Sequence, residues 1–470
     1  MSVNNQHPEF PTFNKLWKKC RDIYKGEDHI KKLEDEYLRP TAGQVVDGMG
    51  IGQDGRLAYE NYLARAVLPE NFEEGVNTFC GLLHGNEATI GLPPELEFLR
   101  YKATRQGESL LALLRRINAE QLITGRIGLL VDAYKEPQVN GDLFIATYTA
   151  ENIPNWDGMY ELDFVVLDES GNYRDGYFWQ YENRYRVLEL VDGVYTQTVW
   201  RNGAAEEQFV PVFKGKKPIS LPFVFINAND TNPNPQKPPL LGLANAVLSI
   251  YQSEADYRQN LYMQGQDTLV LIGQVKNTSL NPIEDDSIRV GAGSRINLDL
   301  QGDAKYVGVS GEGLGEQRLA LEADRKKAEY KGGQFIDTRA AKNESGAALK
   351  TRLAAQTSTL NQVALTSANA LEKLLKDICV VIGADPELVE IEPNLEFAEN
   401  VNIGDDVVKL ITARNMGAPI SEQTLHELIS AKGLTKYDYE VELQMMADKP
   451  INPAFKATVN SQIDNKQTKL

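Results

Sequence analysis

The run LLGLANAVLSIYQSEADYRQNLYMQ, residues 240–264, places Leu240, Ala244, Val247, Tyr251, Ala255 and Leu261/Tyr262 on one side of a helix. Its length predicts a rod of roughly 37 Å at ~1.5 Å per residue. ANDTNPNPQKPP, residues 228–239, precedes it and has little capacity for regular structure, which makes it the clearest boundary in the chain. Short strands and turns follow over 268–311, at Thr268 to Ile272, Ile288 to Val290, Arg295 to Leu300 and Tyr306 to Val309. A second, far more polar helix then returns from Leu314 to Lys331 and stops at Gly332-Gly333. The stretch to Gly346 (GGQFIDTRAAKNESG) is irregular. Beyond it a third helix, Ala347 to Ile382, carries Leu349, Leu353, Leu360, Val363, Leu371, Leu374, Ile378 and Ile382 on one side. Two helices bracketing an insert too small for its own core are the feature on which the fold turns.

Outward from this centre the chain changes character. Residues 1–40 mix charges with spaced apolar residues (Phe13, Leu16, Trp17, Ile23, Tyr24), an amphipathic helical pattern, and a glycine cluster runs from Gly43 to Gly55. From Arg56 to Leu83 apolar positions recur at helical spacing, and Gly91-Leu92-Pro93-Pro94 breaks the pattern. Ser109 to Tyr134 reads as a helix running into a buried strand at Gly125-Arg126-Ile127-Gly128-Leu129-Leu130-Val131-Asp132. Tyr185–Val191 and Val194–Trp200, joined by Asp192-Gly193, form a hairpin signal. Asn202-Gly203 closes the next turn, and Ser170-Gly171-Asn172 separates two earlier runs. An antiparallel sheet is expected between about 142 and 226. Near the C-terminus short helices are expected at Asp405–Arg414 and Glu422–Lys432, with Ser421 as N-cap and Gly433 as stop. The fold class is α+β, mainly α.

The chain has 470 residues, 42% of them apolar, enough for two to three domains and a sizeable core. Its 49 Lys and Arg against 66 Asp and Glu leave a formal charge of −17. So acidic a chain is no wrapping DNA binder, because phosphate binding needs a positive surface. Charge is nonetheless uneven. Residues 325–352 hold eight basic and three acidic side chains, whereas 384–448 hold fourteen acidic and four basic. Cys20, Cys80 and Cys379 are too few and scattered for a disulfide frame, which suits a reducing compartment. The polar N-terminus shows no signal peptide, and no apolar run approaches the ~20 residues of a membrane helix. A soluble intracellular product is expected.

Enzyme signatures are scarce. There is no Gly-x-x-x-x-Gly-Lys-Ser/Thr phosphate loop and no Gly-x-Ser-x-Gly elbow. Gly50-Ile51-Gly52-Gln53-Asp54-Gly55 has dinucleotide-fingerprint spacing, but no βαβ unit surrounds it, so it reads as a turn. Gly311-Glu312-Gly313-Leu314-Gly315 reads as a helix start. His7, His29, His84 and His426 lack i, i+3 or i, i+4 partners and read as structural, not as metal ligands. Asp285-Asp286 and Asp405-Asp406 could serve a metal or acid/base chemistry, yet adjacent side chains diverge and both pairs sit where Asp caps turns or helices. No catalytic residue, metal or cofactor is expected.

The succession of elements resembles a tailed-bacteriophage portal protein, the head-tail connector ring. The residues that carry the resemblance are Gly125 to Asp132 leading into the sheet, Leu241-Gly242-Leu243-Ala244 and Tyr251 to Arg258 on the first long helix, a long helix containing Glu344-Ser345-Gly346 after the loop, and Ile391-Glu392-Pro393-Asn394-Leu395-Glu396-Phe397 ahead of Gly417-Ala418-Pro419-Ile420-Ser421. It covers about residues 40–445 and lies in the order of elements, not in one motif. It implies a wing (1–238), stem helices (239–267 and 312–334), a small α/β clip (268–311), a tunnel loop and long helix (335–383), a helical crown (384–449) and a loose tail (450–470). It also implies a cyclic ring, usually of twelve copies, at one capsid vertex, through which double-stranded DNA is packaged and ejected. The partners implied are viral DNA, the terminase large subunit, head-completion or adaptor proteins, and the major capsid and scaffolding proteins, with no membrane. The implied location is the virion, reached from the host cytoplasm during assembly. Charge then picks out Arg325, Lys326, Lys331, Arg339, Lys342 and Lys350 as the DNA-near set. Asp285, Asp286, Arg289 and Arg295 of the clip would face the motor and adaptors. Two rival classes predict other behaviour: an acidic hydrolase using a pair such as Asp405 and Glu440 predicts a pocket, and a capsid or scaffold component predicts shells.

Overall fold

The computed structural model describes residues 3–133, 143–157, 162–264, 268–272, 303–307, 312–333, 346–395, 410–412, 414, 416, 421–431, 435 and 437–448, at some helix and strand positions by backbone alone. Asp285, Asp286, Arg289, Arg295, Arg339 and Lys342 lie outside these residues, as do the strands expected at 288–290 and 295–300, Asp405-Asp406, Gly433 and the tail from Pro450. Lys350 lies on a helix described there by its backbone. The chain divides into two compact units, Met1–Phe397 and Ala398–Leu470.

The first unit opens with α1 (Phe10–Tyr24), whose buried face is Phe10, Trp17, Cys20 and Ile23. Asp22 is also buried there, and it accepts hydrogen bonds from His29 Nε2 at 2.8 Å and Tyr37 Oη at 2.8 Å, so its charge is answered. Helix α2 (Glu27–Lys32) starts after Gly26, whose φ of 86° suits glycine. Helix α3 (Ala42–Val46) carries a capping box between Thr41 and Gln44. The glycine-rich stretch turns between the two helices, where Gly48 and Gly52 have φ of 94° and 79°, while Gly43 lies in α3 and Gly55 in the first turn of α4 (Asp54–Arg65). The helical pattern read from Arg56 to Leu83 is thus a pair of helices, α4 and α5 (Asn71–Leu83), because Pro69 between them can neither donate nor continue a helix.

The stretch after Leu83 yields a short strand, β1 (Thr89–Gly91), before helix α6 (Leu110–Ile123), whose N-cap Ser109 accepts from Ala112 N at 3.2 Å. Gly125, at φ 79°, turns the chain into β2 (Arg126–Ala133), which pairs with β3 (Leu143–Thr149). Next come β4 (Asn155–Asp157), β5 (Phe164–Asp168), β6 (Gly171–Asp175), β7 (Phe178–Glu182), β8 (Arg184–Val191), β9 (Val194–Arg201), β10 (Ala204–Phe209) and β11 (Phe223–Asn227). They make an antiparallel five-stranded sheet in the order β10-β9-β8-β5-β4, a three-stranded sheet β11-β2-β3, and the separate ribbon β6-β7. The expected hairpin is present. Asp192 and Gly193 both have positive φ (51° and 75°), as do Asn202 and Gly203 (49° and 86°), which marks two turns matched to the strand twist. One turn lies elsewhere than expected. Gly171 and Asn172 belong to β6, and the chain reverses at Gly176-Tyr177, where Gly176 has φ 61°.

The Pro/Asn-rich stretch is irregular but tightly held. Asn227 Nδ2 donates to Asp230 Oδ1 at 2.8 Å and Asn232 O at 2.8 Å, and Gln362 Nε2 reaches Asn229 O at 2.9 Å. The stretch lies within the first compact unit. Helix α7 (Leu241–Gln264) buries Leu243, Ala244, Val247, Ile250, Tyr251 and Ala255 in the same core as Ile23, Tyr59, Phe72, Val76 and Phe79 from the N-terminal helices. Strands β12 (Thr268–Ile272) and β13 (Asp303–Val307) pair at the ends of the insert. Helix α8 (Glu312–Gly333) returns, and α9 (Gly346–Ile382) runs back into a second core with Leu113, Leu114, Ile117, Leu129 and Ile145.

The residues after α9 depart from expectation. The resemblance starts the crown at 384, yet Val389 and Ile391 are buried in that second core, and β14 (Glu390–Glu392) pairs with β1 through Ile90 and Ile391. A three-residue strand leaves almost no period to read. Within the second unit, α10 (Glu422–Ala431) begins where expected, with Ser421 Oγ accepting from Thr424 N at 3.0 Å. Residues 410–412 are helical, and a further helix that the sequence did not signal, α11, spans Tyr439–Asp448. The architecture is α+β and mainly helical, as the sequence indicated.

Candidate nucleic-acid interface

Helices α7 and α8 form an antiparallel pair held by three polar rungs. Asn260 Nδ2 donates to Gln317 Oε1 at 3.1 Å, Arg325 Nη2 reaches Glu254 Oε2 at 2.8 Å, and Lys331 Nζ donates to Gly242 O at 3.2 Å. The half of α7 nearer its start is gripped by the first core. Tyr62 Oη donates to Asp256 Oδ1 at 2.6 Å and Gln252 Nε2 to Tyr37 O at 2.9 Å. The grip continues to Gln259, whose Oε1 accepts from Arg65 Nη2 at 2.5 Å. Leu261, Tyr262 and Met263 on α7 and Leu319 on α8 are exposed, although Leu261/Tyr262 share the stripe of the buried Val247, Tyr251 and Ala255. Tyr262 instead lies beneath the Arg65 guanidinium, 4.1 Å from the ring centre.

The central rung is the best-defined electrostatic feature of the pair. The Glu254 side chain is only 4% exposed and accepts from both Arg258 Nε at 2.6 Å and Arg325 Nη2 at 2.8 Å. A carboxylate taken out of water needs such partners. Arg258 alone could have been inferred from its i, i+4 spacing; the link to Arg325 could not, because it depends on the register of two helices 71 residues apart. Either single change, Arg258→Ala or Arg325→Ala, leaves one guanidinium on Glu254, so each should cost about 1 kcal/mol or less. The double change strands the carboxylate and should exceed their sum by about 1–2 kcal/mol in a denaturant-unfolding cycle. Additive losses would show that Glu254 does not depend on the pair.

Of the six basic residues singled out on charge, three have described side chains or contacts. Arg325 faces α7 through Glu254, Lys331 is half-buried against the start of α7, and Lys326 is exposed. Arg325 and Lys331 are therefore fixed along the pair and do not hang free. No helix among the described residues is long and apolar enough to cross a membrane, and no cluster of three His, Cys, Asp or Glu among them could hold a metal ion. The histidines have other contacts: His29 pairs with Asp22, His84 Nε2 lies 3.2 Å from Asn118 Nδ2, and His7 stacks on Trp156 at 4.0 Å.

Away from the helix pair, a cleft of about 670 Å³ opens between the two larger sheets, lined among others by Arg105, Arg116, Asp132, Glu169, Arg186 and Arg201. Sequence reasoning missed it, since its residues come from distant strands. Its carboxylates are not free for proton transfer. Arg186 binds Asp132 Oδ2 at 2.7 Å and Glu169 Oε1 at 2.8 Å. Burial opposes the charge of Arg186, but Tyr148, Glu169 and Asp132 together hold its guanidinium above the ordinary range.

Residues 239–379 match a family described as a domain of unknown function, DUF4055, a span that begins just before α7 and ends within α9. No curated protein matches the chain. Among solved structures, the chain is similar to one from the neck of a native GTA particle computed with C12 symmetry, at 15% identity and a TM-score of 0.40, covering 77% of this chain and 89% of that one. It is also similar to one from the neck of an empty GTA particle computed with C6 symmetry, at 15% identity and a TM-score of 0.41, covering 78% of this chain and 90% of that one.

Proposed function

We propose that this chain is the subunit of a phage portal, a closed ring at one capsid vertex that forms the channel for double-stranded DNA. The observation that carries the reading is the antiparallel pair α7–α8, anchored at one end in a core and joined at the other through the insert between Gln264 and Glu312. The exposed Leu261, Met263 and Leu319 on its far half are apolar surface that copies of the chain in a ring would cover. The insert, with one described strand pair, is the expected clip, and Asp285, Asp286, Arg289 and Arg295 would meet the terminase large subunit and later adaptor proteins. Energy for DNA movement would come from that motor, in keeping with the missing phosphate loop in this sequence.

The chemistry of such a channel is restraint, not grip. A strongly acidic wall repels the duplex and keeps it centred, while sparse cations make weak, salt-sensitive phosphate contacts. Arg325 and Lys331, tied to α7, would set cations at fixed heights, and Lys326, Arg339, Lys342 and Lys350 would complete the set. Replacing Arg339 and Lys342 by Ala should leave ring assembly intact while lowering the amount of DNA packaged or retained, read as nuclease-protected DNA per particle. Unchanged DNA content in intact particles would remove both residues from the channel.

A further inference from the structure

The β6–β7 ribbon stands outside all three hydrophobic cores. It extends the β5–β8 pair without a change of register: Asp168 faces Tyr185, Glu169 N donates to Arg184 O at 2.8 Å, and Gly171 faces Glu182. Ser170 Oγ accepts from Arg184 N at 3.0 Å and braces the base. Seven residues at ~3.3 Å each carry Tyr177 roughly 23 Å beyond Arg184. A solvated ribbon of this length should be polar. Instead Tyr173, Tyr177, Phe178, Trp179 and Tyr181 are 43%, 94%, 76%, 69% and 65% exposed. The register puts Trp179 opposite Arg174 and Tyr181 opposite Asn172, so one face of the arm presents an indole, a phenol and a single charge, Arg174.

The same chain carries a surface that suits this face. On the side of the five-stranded sheet away from the inter-sheet cleft, Phe164, Val166, Val187 and Trp200 line an open groove of about 700 Å³, with the carboxylate of Glu189 exposed at its rim. The arm points off the end of that sheet, away from its own groove. We propose that the β6–β7 arm of one copy docks in the sheet groove of the next, with Trp179 and Tyr181 on the apolar floor and Arg174 at Glu189. Covering Trp179 and Tyr181 with Tyr177 at the tip, at ~150–250 Å² each and scaled by their exposure, removes roughly 450 Å² of arm surface from water. That is over half of the ~800 Å² per partner of a standard interface, before Arg174 and the arm backbone are added. Because arm and groove are different surfaces, the contact is head-to-tail and generates a ring when its rotation closes. The proposal rests on the ring reading for closure, but the arm and groove are observed independently of it.

The test uses the full chain. Trp17 and Trp156 are buried and Trp200 is half-buried in the groove itself, so Trp179 is the tryptophan most open to a soluble quencher and docking would shield both Trp179 and Trp200; Cys20, Cys80 and Cys379 are all buried, which leaves introduced cysteines free to report. On assembly, acrylamide quenching of wild-type fluorescence should fall several-fold. The variant with Trp179→Ser and Tyr181→Ser should need at least tenfold more protein to assemble, a difference of about 1.4 kcal/mol. Arg174→Cys combined with Glu189→Cys should give a covalent ladder on oxidation, while either single variant should not. Closed rings in which Trp179 stays as quenchable as in the free chain, with no ladder, would overturn the arm contact and leave the ring reading standing. Shielding of Trp179 only on addition of another virion protein would assign the arm to that protein and overturn the proposal. A wild-type chain that never assembles would remove both.

Discussion

Arg126→Met should raise the stability of the chain by about 1–4 kcal/mol at neutral pH, because it removes a cation that the fold buries with no hydrogen-bonded partner among the described residues. Arg126 opens β2 with its side chain fully buried, and none of its three side-chain nitrogens finds a hydrogen-bond partner among the described residues. Its guanidinium lies 3.9 Å over Phe225 and 4.4 Å over Trp156, which supplies cation–π attraction but no acceptor. Burial pulls its pKa down to about 9, against the opposing pull of Glu9 and Asp230. Methionine fills a similar length of apolar space between the rings and carries no charge.

The sign of the pH dependence follows from that depression. A base whose folded-state pKa lies below its unfolded value carries its full penalty below the folded pKa, about 9 here, and sheds it as pH rises from there towards the ordinary guanidinium value. Wild type should therefore gain on Arg126→Met as pH rises through 9, and the gap between them should narrow. The check is urea unfolding of both proteins at pH 7 and pH 10. A methionine variant less stable than wild type at pH 7 would mean that the cation–π sandwich outweighs desolvation.

Gly55→Ala should act in the opposite direction and more sharply. Gly55 sits in the first turn of α4, where alanine normally gains about 1 kcal/mol over glycine. Here an added Cβ would press into the carbonyl oxygens of Gln44 and Gly48, well inside contact distance. Both are backbone atoms, so no side-chain rotation relieves the clash, and the α3–α4 turn must move. A loss of about 4 kcal/mol is expected, the size that marks overpacking against backbone. Gly81, also helical, has nothing within 4 Å of the same position, and Gly81→Ala should be neutral or stabilising by up to about 1 kcal/mol. Thermal unfolding of both variants separates the cases; equal effects would mean that the close approach at Gly55 relaxes without cost. The comparison also explains the Gly50–Gly55 spacing by steric need in a turn, with no dinucleotide required.

What the sequence revealed was what period and turn chemistry encode. The long helices were legible to within two residues at α8 and α9, because many turns repeat one pattern. The two hairpins were legible because Asp192-Gly193 and Asn202-Gly203 supply the positive φ their turns demand. The β6–β7 turn was not, because Gly171-Asn172 has the composition of a turn, yet the pairing of Asp175 with Phe178 puts the reversal at Gly176-Tyr177. The β1–β14 pairing joins residues some 300 positions apart through one apolar residue each, Ile90 and Ile391, which leaves no local trace. At the candidate site, basic composition pointed to Arg325 and Lys331, but only the register of α7 against α8 shows Arg325 on Glu254 and Lys331 on Gly242 O. The exposure of Leu261 and Tyr262 was invisible for a related reason. A helical stripe indicates which residues share a face, not whether a neighbour covers it.

The ring is the central claim, and the native mass of the purified full chain, with images of the particles, tests it most directly. Twelve copies of 52.4 kDa give about 0.63 MDa, and the account predicts closed rings near that mass with a central hole that admits a duplex. A chain that remains a monomer or dimer across protein concentration and salt, or that grows into open filaments or shells, would contradict it.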